Sequence, residues 1–301
     1  MLTSSRSSLL LAAAGVLWGT GGLAGALLQE QAHLDPLAVA AYRLLLGGGL
    51  ATAGYAVHGG LRQRWSLPMA RRVLVVGSLL AIFQTAYYAA ISQISVSLAT
   101  LITIGSVPLF VAVATAARDR RWPRPTVVLT ICVALAGLAL LCGAPVAAGS
   151  PWSKAVGVSL SLCAGAGFAT MTMINRPALA GLSSAAVTTF GLLTGGLLLL
   201  PFALPLGMGV PLSAGVLGTA VFLGAVPTAI AYGAYFAGLR HAQPVVAALS
   251  VLLEPLTATV LSVILLGDRL GVAGTLGAVL LCAALALNYL PARRERVLAT
   301  R

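Results

Sequence analysis

The feature that most restricts what this chain can fold into is a succession of ten apolar runs, each about 20 residues long, separated by short breaks of proline, glycine and charge. They cover Ser8 to Leu28, Leu37 to Val57, Val73 to Ile91, Val96 to Ala117, Thr126 to Leu141, Lys154 to Ile174, Ser183 to Pro205, Ser213 to Leu239, Val245 to Leu266 and Gly271 to Leu290. Only 8% of the 301 residues are charged and 59% are hydrophobic, with a mean hydropathy of +1.00. Soluble domains carry roughly a quarter charged residues. A bilayer accepts such runs if backbone polar groups pair internally, as they do in helices. The sequence therefore predicts an all-α integral membrane protein with ten transmembrane helices.

The net charge of +12 does not point to nucleic acid. The bases fall in short clusters between apolar runs, with no stacking aromatics interleaved. Fifteen of the 18 basic residues (Arg6; Arg62, Arg64, Arg71, Arg72; Arg118, Arg120, Arg121, Arg124; Arg176; Arg240; Arg293, Arg294, Arg296, Arg301) lie on alternate loops or the tail, which must share one side. The positive-inside bias makes that side the cytoplasm, so both termini are expected there, in a bacterial-type inner (plasma) membrane. The opposite loops hold Lys154 and Arg269 with Glu30, Asp35 and Asp268. Arg6 and the apolar stretch after it resemble a secretory signal, but the run continues to Leu28 without a clear cleavage site, so an uncleaved first helix is expected. Cys132, Cys142, Cys163 and Cys282 lie singly in apolar runs without CxxC or a companion histidine. They read as small buried hydrophobes, and no metal site, disulfide framework or cofactor is expected.

The chain also resembles itself. Val39 to Gly48 (VAAYRLLLGG) aligns with Val187 to Gly196 (VTTFGLLTGG), and Val107-Pro108-Leu109 with Glu254-Pro255-Leu256. Tyr88 falls opposite Tyr235, and Asp119-Arg120 opposite Asp268-Arg269 after a two-residue slip. Residues 1–148 and 149–301 are expected to be two five-helix repeats. Five is odd, so the second repeat enters from the opposite face, the inverted construction common among secondary transporters.

Leu17-Trp18-Gly19-Thr20 in the first run, Tyr42-Arg43 in the second and Leu253-Glu254-Pro255 followed by Leu266-Gly267-Asp268-Arg269-Leu270 carry a further likeness. On these residues the chain resembles, over nearly its whole length, the EamA branch of the drug/metabolite transporter superfamily. The last stretch is similar to that family's Glu-Pro and Gly-Glu-Arg-Leu signature, with Asp268 in place of the glutamate and Val107 where the second repeat has Glu254. The resemblance implies a ten-helix inverted-repeat fold around a central cavity that exports amino acids, related metabolites or drug-like amines. A lipid-carrier flippase would share this fold. An intramembrane enzyme is not indicated: His33, His58 and His241 fall at span ends, no aspartate lies inside a span, and HExxH is absent. The implied partners are a small-molecule substrate, membrane lipids and protons as candidate coupling ion.

Two ionisable side chains fall well inside the hydrocarbon, Arg43 and Glu254, each costing roughly 2.5–3.5 kcal/mol on insertion scales unless paired or wet. Helical rise puts Glu254 about 14 Å from the cytoplasmic end of its run and Arg43 about 9 Å below the outer end of its own. Glu254 reads either as a carrier that loads and releases a proton or binds a substrate ammonium, or as a structural partner for Arg43 or for backbone near Pro255. Arg43 reads first as a carbonyl or ion-pair clamp and second as a carboxylate binder. Pro108, Pro227 and Pro255 each fall near the middle of a run, where missing donors are expected to break the helix. Gln84, Tyr87 and Tyr88 share one helical face, as do Thr100, Thr103 and Ser106, and Tyr232 and Tyr235 repeat the pattern. Together with Trp18 they form a candidate cavity wall suited to flat or amine-bearing solutes. Interhelical bonding by the same hydroxyls is the structural alternative.

Overall fold

The computed structural model describes residues 4–62, 64–143, 150–267 and 269–289. Asp268, the basic tail from Arg293, the last residue of the tenth run and the boundary between residues 148 and 149 lie outside them. The chain is all-helical: α1 Ser4–Ala32, α2 Pro36–Val57, α3 Leu67–Ile91, α4 Val96–Asp119, α5 Pro125–Cys142, α6 Pro151–Asn175, α7 Ser184–Ala203, α8 Ala214–Leu239, α9 Pro244–Leu265 and α10 Val272–Tyr289. Among the described residues, the first nine of these are long and apolar enough to cross a membrane, and α10 holds a shorter apolar helix, Val272–Leu287. Several helices outrun their apolar stretch, α1 by four residues at each end and α3 by six at its start. Hydropathy marks only the hydrocarbon slab, whereas backbone pairing continues into the interface.

The turns are set by local chemistry. Asp35, Ser95, Ser150, Ser183 and Ser213 each precede a helix in extended conformation and accept a hydrogen bond from a first-turn N–H. Pro36, Pro125, Pro151 and Pro244 start their helices where a missing N–H costs nothing.

The packing order carries the repeat. The largest contacts are α2 with α7, α5 with α10, α3 with α6 and α7, α4 with α6, and α1 with α8 and α9. Exchanging each helix for the one five places away maps α3 on α6 to α8 on α1, and α4 on α6 to α9 on α1. The α2–α7 and α5–α10 pairs map onto themselves, as they must beside a two-fold axis. The two sequence-matched stretches thus meet each other. A Cβ on Gly48 would lie 2.7 Å from the Leu193 backbone N, and one on Gly196 3.0 Å from the Leu45 N. Glycine is what lets these backbones approach so closely.

Leu9, Val113, Leu197, Phe202, Ile264 and many other large apolar side chains are exposed on the outer surface, where lipid replaces core. The cysteines are not the buried hydrophobes the sequence suggests: Cys132, Cys163 and Cys282 are exposed and Cys142 is half-buried, all as free thiols. Hydrocarbon is as good a solvent for a thiol as a packed interior, so an apolar run does not specify which way it faces.

Candidate functional site

Helix α9 is discontinuous. Its first part, Pro244–Ser250, ends in a turn at Val251 and Leu252, and Leu253–Leu261 begins a new helix with Glu254 in its first turn. Pro255 follows the break, where its missing N–H does no harm. Helix α1 lies against this break on its small residues. A Cβ on Gly15 would come within 2.3 Å of the Ser250 carbonyl oxygen, and one on Gly19 within 2.8 Å of the Glu254 carbonyl oxygen.

Helix α8 is irregular too. Pro227 cannot donate to the carbonyl of Leu223, and the chain widens into a π-turn over Ala225–Ile230. The Thr228 hydroxyl donates to the orphaned Leu223 carbonyl at 2.7 Å and accepts from Arg43 Nε at 3.0 Å, while Arg43 Nη2 donates to the Pro227 carbonyl at 3.2 Å. Arg43 therefore ties α2 to α8 through the defect that Pro227 creates. Arg43→Ala leaves this defect without its charged donor, an expected loss of about 1.5–3 kcal/mol. Arg43→Lys keeps the charge but not the two-headed geometry, so its melting temperature in detergent is expected to fall between those of the alanine variant and the wild type.

Pro108 behaves differently. Helix α4 continues through it, so the expected break does not occur in the first repeat. One missing bond in a helix packed on α6 is tolerated, whereas Pro255 stands beside a turn that already interrupts the ladder.

Among the described residues no salt bridge joins Arg43 to Glu254. Yet Arg43, Tyr88, Tyr232 and Glu254 all lie within electrostatic range of one another, every pair included. Arg43, Tyr87, Tyr88 and Glu254 are half-buried while their helices enclose them. A charge on a membrane-length span needs a partner or a polar space.

An aromatic wall adjoins these groups. Trp18 meets Tyr232 and Tyr235 at ring separations of 5.1 and 5.0 Å and Phe168 at 5.8 Å. Phe168 continues through Phe83, at 5.4 Å, to Tyr87 and Tyr88. The Tyr235 hydroxyl is hydrogen-bonded to Thr172 at 2.7 Å and that of Tyr87 to Thr100 at 2.6 Å. The Trp18 indole N–H is buried without a hydrogen-bond partner.

Of the residues singled out in the sequence, Trp18, Arg43, Tyr87, Tyr88, Tyr232, Tyr235 and Glu254 are thus brought together. Thr103 and Ser106 sit instead in the α4–α6 seam. Thr103 donates to the Ser161 carbonyl at 3.2 Å, Ser106 to that of Thr103 at 3.0 Å, and Gly165 makes room for the Ser106 hydroxyl. Gln84 is buried on α3. Phe83, Phe168, Thr172 and Thr228 were not singled out. A threonine directly after a mid-span proline was the available signal for Thr228, since a freed carbonyl must find a donor. Among the described residues no three His, Cys, Asp or Glu side chains gather as metal ligands.

Residues 5–143 and residues 155–290 each match the EamA-like transporter family. The chain belongs to the EamA-like transporter family. It is 29% identical over 290 residues to the uncharacterized transporter YwfM of Bacillus subtilis (strain 168), covering 96% of this chain and 95% of that protein. It is 26% identical over 290 residues to the uncharacterized inner membrane transporter YicL of Salmonella typhimurium (strain LT2), covering 94% of each. One crystal structure at 22% identity superposes with a TM-score of 0.81 over 97% of this chain and 99% of that one, a likeness of fold. The protein is a multi-pass membrane transporter of this EamA family.

Proposed function

We propose that the protein exports small amine- and carboxylate-bearing metabolites, amino acids or related compounds, by alternating access, with Glu254 carrying the coupling proton. In this reading residues 1–148 and 149–301 rock against each other and both termini are cytoplasmic. The observation that supports it best is the set of Arg43, Tyr88, Tyr232 and Glu254: two opposite charges near enough to interact, yet not joined by a salt bridge. A zwitterion placed between them would satisfy both, and a solute acceptor would satisfy the Trp18 indole.

The two ends of the bundle differ in a way alternating access requires. Toward the loops after α6 and α8, Tyr235, Phe236 and Leu239 are fully buried. There Arg72 clasps the carbonyls of Ile174 and Pro177, Arg240 that of Leu182, and Arg176 that of Ala242. Toward the other end Tyr88 and Arg43 stay half-open. In this reading the basic loops are cytoplasmic, and the end closed by these arginines faces the cytoplasm.

Proteoliposomes loaded with mixed amino acids and aromatic amines test the proposal. Efflux of at least one class above protein-free liposomes is expected, and efflux at the protein-free level for all of them would remove it.

A further inference from the structure

A groove outside this site runs between the first turns of α3 and the last turn of α6. It has a volume of about 340 Å³ and is lined by Leu67, Val75, Ile174 and Leu179 together with Arg71 and Arg72. Leu67, Arg71 and Val75 recur every four residues and so form one stripe on α3, rising about 12 Å along the helix. All three are exposed. Arg72 is held in place by its bonds to the Ile174 and Pro177 carbonyls. Arg71 beside it has, among the described residues, no carboxylate within ion-pair distance.

We propose that this groove binds an anionic phospholipid of the surrounding leaflet, with the phosphate on Arg71 and Arg72 and one acyl chain against Val75 and Ile174. The site lies where a span emerges from hydrocarbon, so some lipid covers it in any membrane, and the unneutralised guanidinium groups choose which. Basic pockets between helices at this level favour acidic head groups, because each cation near an anionic surface adds to the attraction. Arg62 and Arg64 in the preceding loop, and Arg176 in the connection that Arg72 grips, add to the same field. A free anion would use the guanidinium groups but not the apolar stripe below them. A neutral lipid would use the stripe but leave the charge unanswered. The head group therefore rests on the joint that fastens α3 to the connection between α6 and α7, the contact that closes this end of the bundle.

Native mass spectrometry of the purified full chain from micelles containing equal phosphatidylglycerol and phosphatidylcholine tests this. The wild type is expected to retain phosphatidylglycerol severalfold over phosphatidylcholine. Arg71→Gln, at an exposed position, is expected to lose most of that preference with its lipid-free melting temperature unchanged, and Arg71→Lys to keep much of it. Arg118→Gln removes a charge from another basic loop and is expected to retain the preference in full. Equal retention of the two lipids by the wild type would overturn the proposal. So would equal loss in Arg71→Gln and Arg118→Gln, or displacement of the bound lipid by millimolar inorganic phosphate.

Discussion

Glu254→Gln is expected to abolish pH-gradient-driven efflux from proteoliposomes while leaving solute exchange at equal pH intact. The amide has the shape of the protonated acid but cannot release a proton, so it holds the carrier in one protonation state. A carrier that cannot unload its proton still shuttles with solute bound on both legs, whereas net coupled transport stops. The placement of Glu254 makes this a sharp test. It stands in the first turn after the α9 break, within range of Arg43, Tyr88 and Tyr232 and half-accessible. If Glu254 were only a structural group bonding the backbone near Pro255, the glutamine would serve as well, and both assays would match the wild type.

The second large effect is on folding. Gly15→Val and Gly19→Val are each expected to destabilise the protein by about 1–3 kcal/mol, lowering the apparent melting temperature in detergent by roughly 3–10 °C. In both cases the new Cβ meets backbone that cannot step aside: the Ser250 carbonyl oxygen at 2.3 Å from position 15, and the Glu254 carbonyl oxygen at 2.8 Å from position 19. Gly22, on the same helix, has nothing within 4 Å of its would-be Cβ. Gly22→Ala is therefore expected to hold or slightly raise the melting temperature, since alanine loses less entropy in a helix. A uniform response at all three positions would mean that α1 does not seat the α9 break as described. The same geometry links stability to function, because a shift of α1 also displaces Trp18, one turn from Gly15 and adjacent to Gly19.

The spans and the inverted halves are legible in the sequence, and Arg43 and Glu254 stand out in it, because each follows from a large energy. A run of twenty apolar residues has few other places to go, and a charge in hydrocarbon needs a reason. What the letters do not carry is direction. Thr100, Thr103 and Ser106 share a helical face by spacing, yet Thr100 reaches Tyr87 while Thr103 and Ser106 turn to α6. Hydroxyls are small enough to serve a seam or a cavity, and period alone does not choose between them. Pro108 and Pro255 occupy matching positions, but only the second adjoins a break, since the outcome depends on the neighbouring helix rather than on proline itself. The clamp of Arg43 on Thr228 and Pro227 joins residues 185 and 184 positions apart, and no local pattern announces it.

In the proposed mechanism Arg43 and Glu254 flank one solute site within the bundle. The most direct measurement is a ligand-stabilisation screen of the purified protein across amino acids, nucleobases, polyamines and quaternary ammonium compounds, repeated on Arg43→Gln and on Glu254→Ala, which, unlike the glutamine variant, leaves no oxygen to accept from a solute ammonium. A bound ligand raises the melting temperature by an amount set by its concentration over Kd. The predicted result is a zwitterionic or amine-bearing compound that stabilises the wild type and loses that effect in both variants; a compound that stabilises all three proteins equally would contradict it.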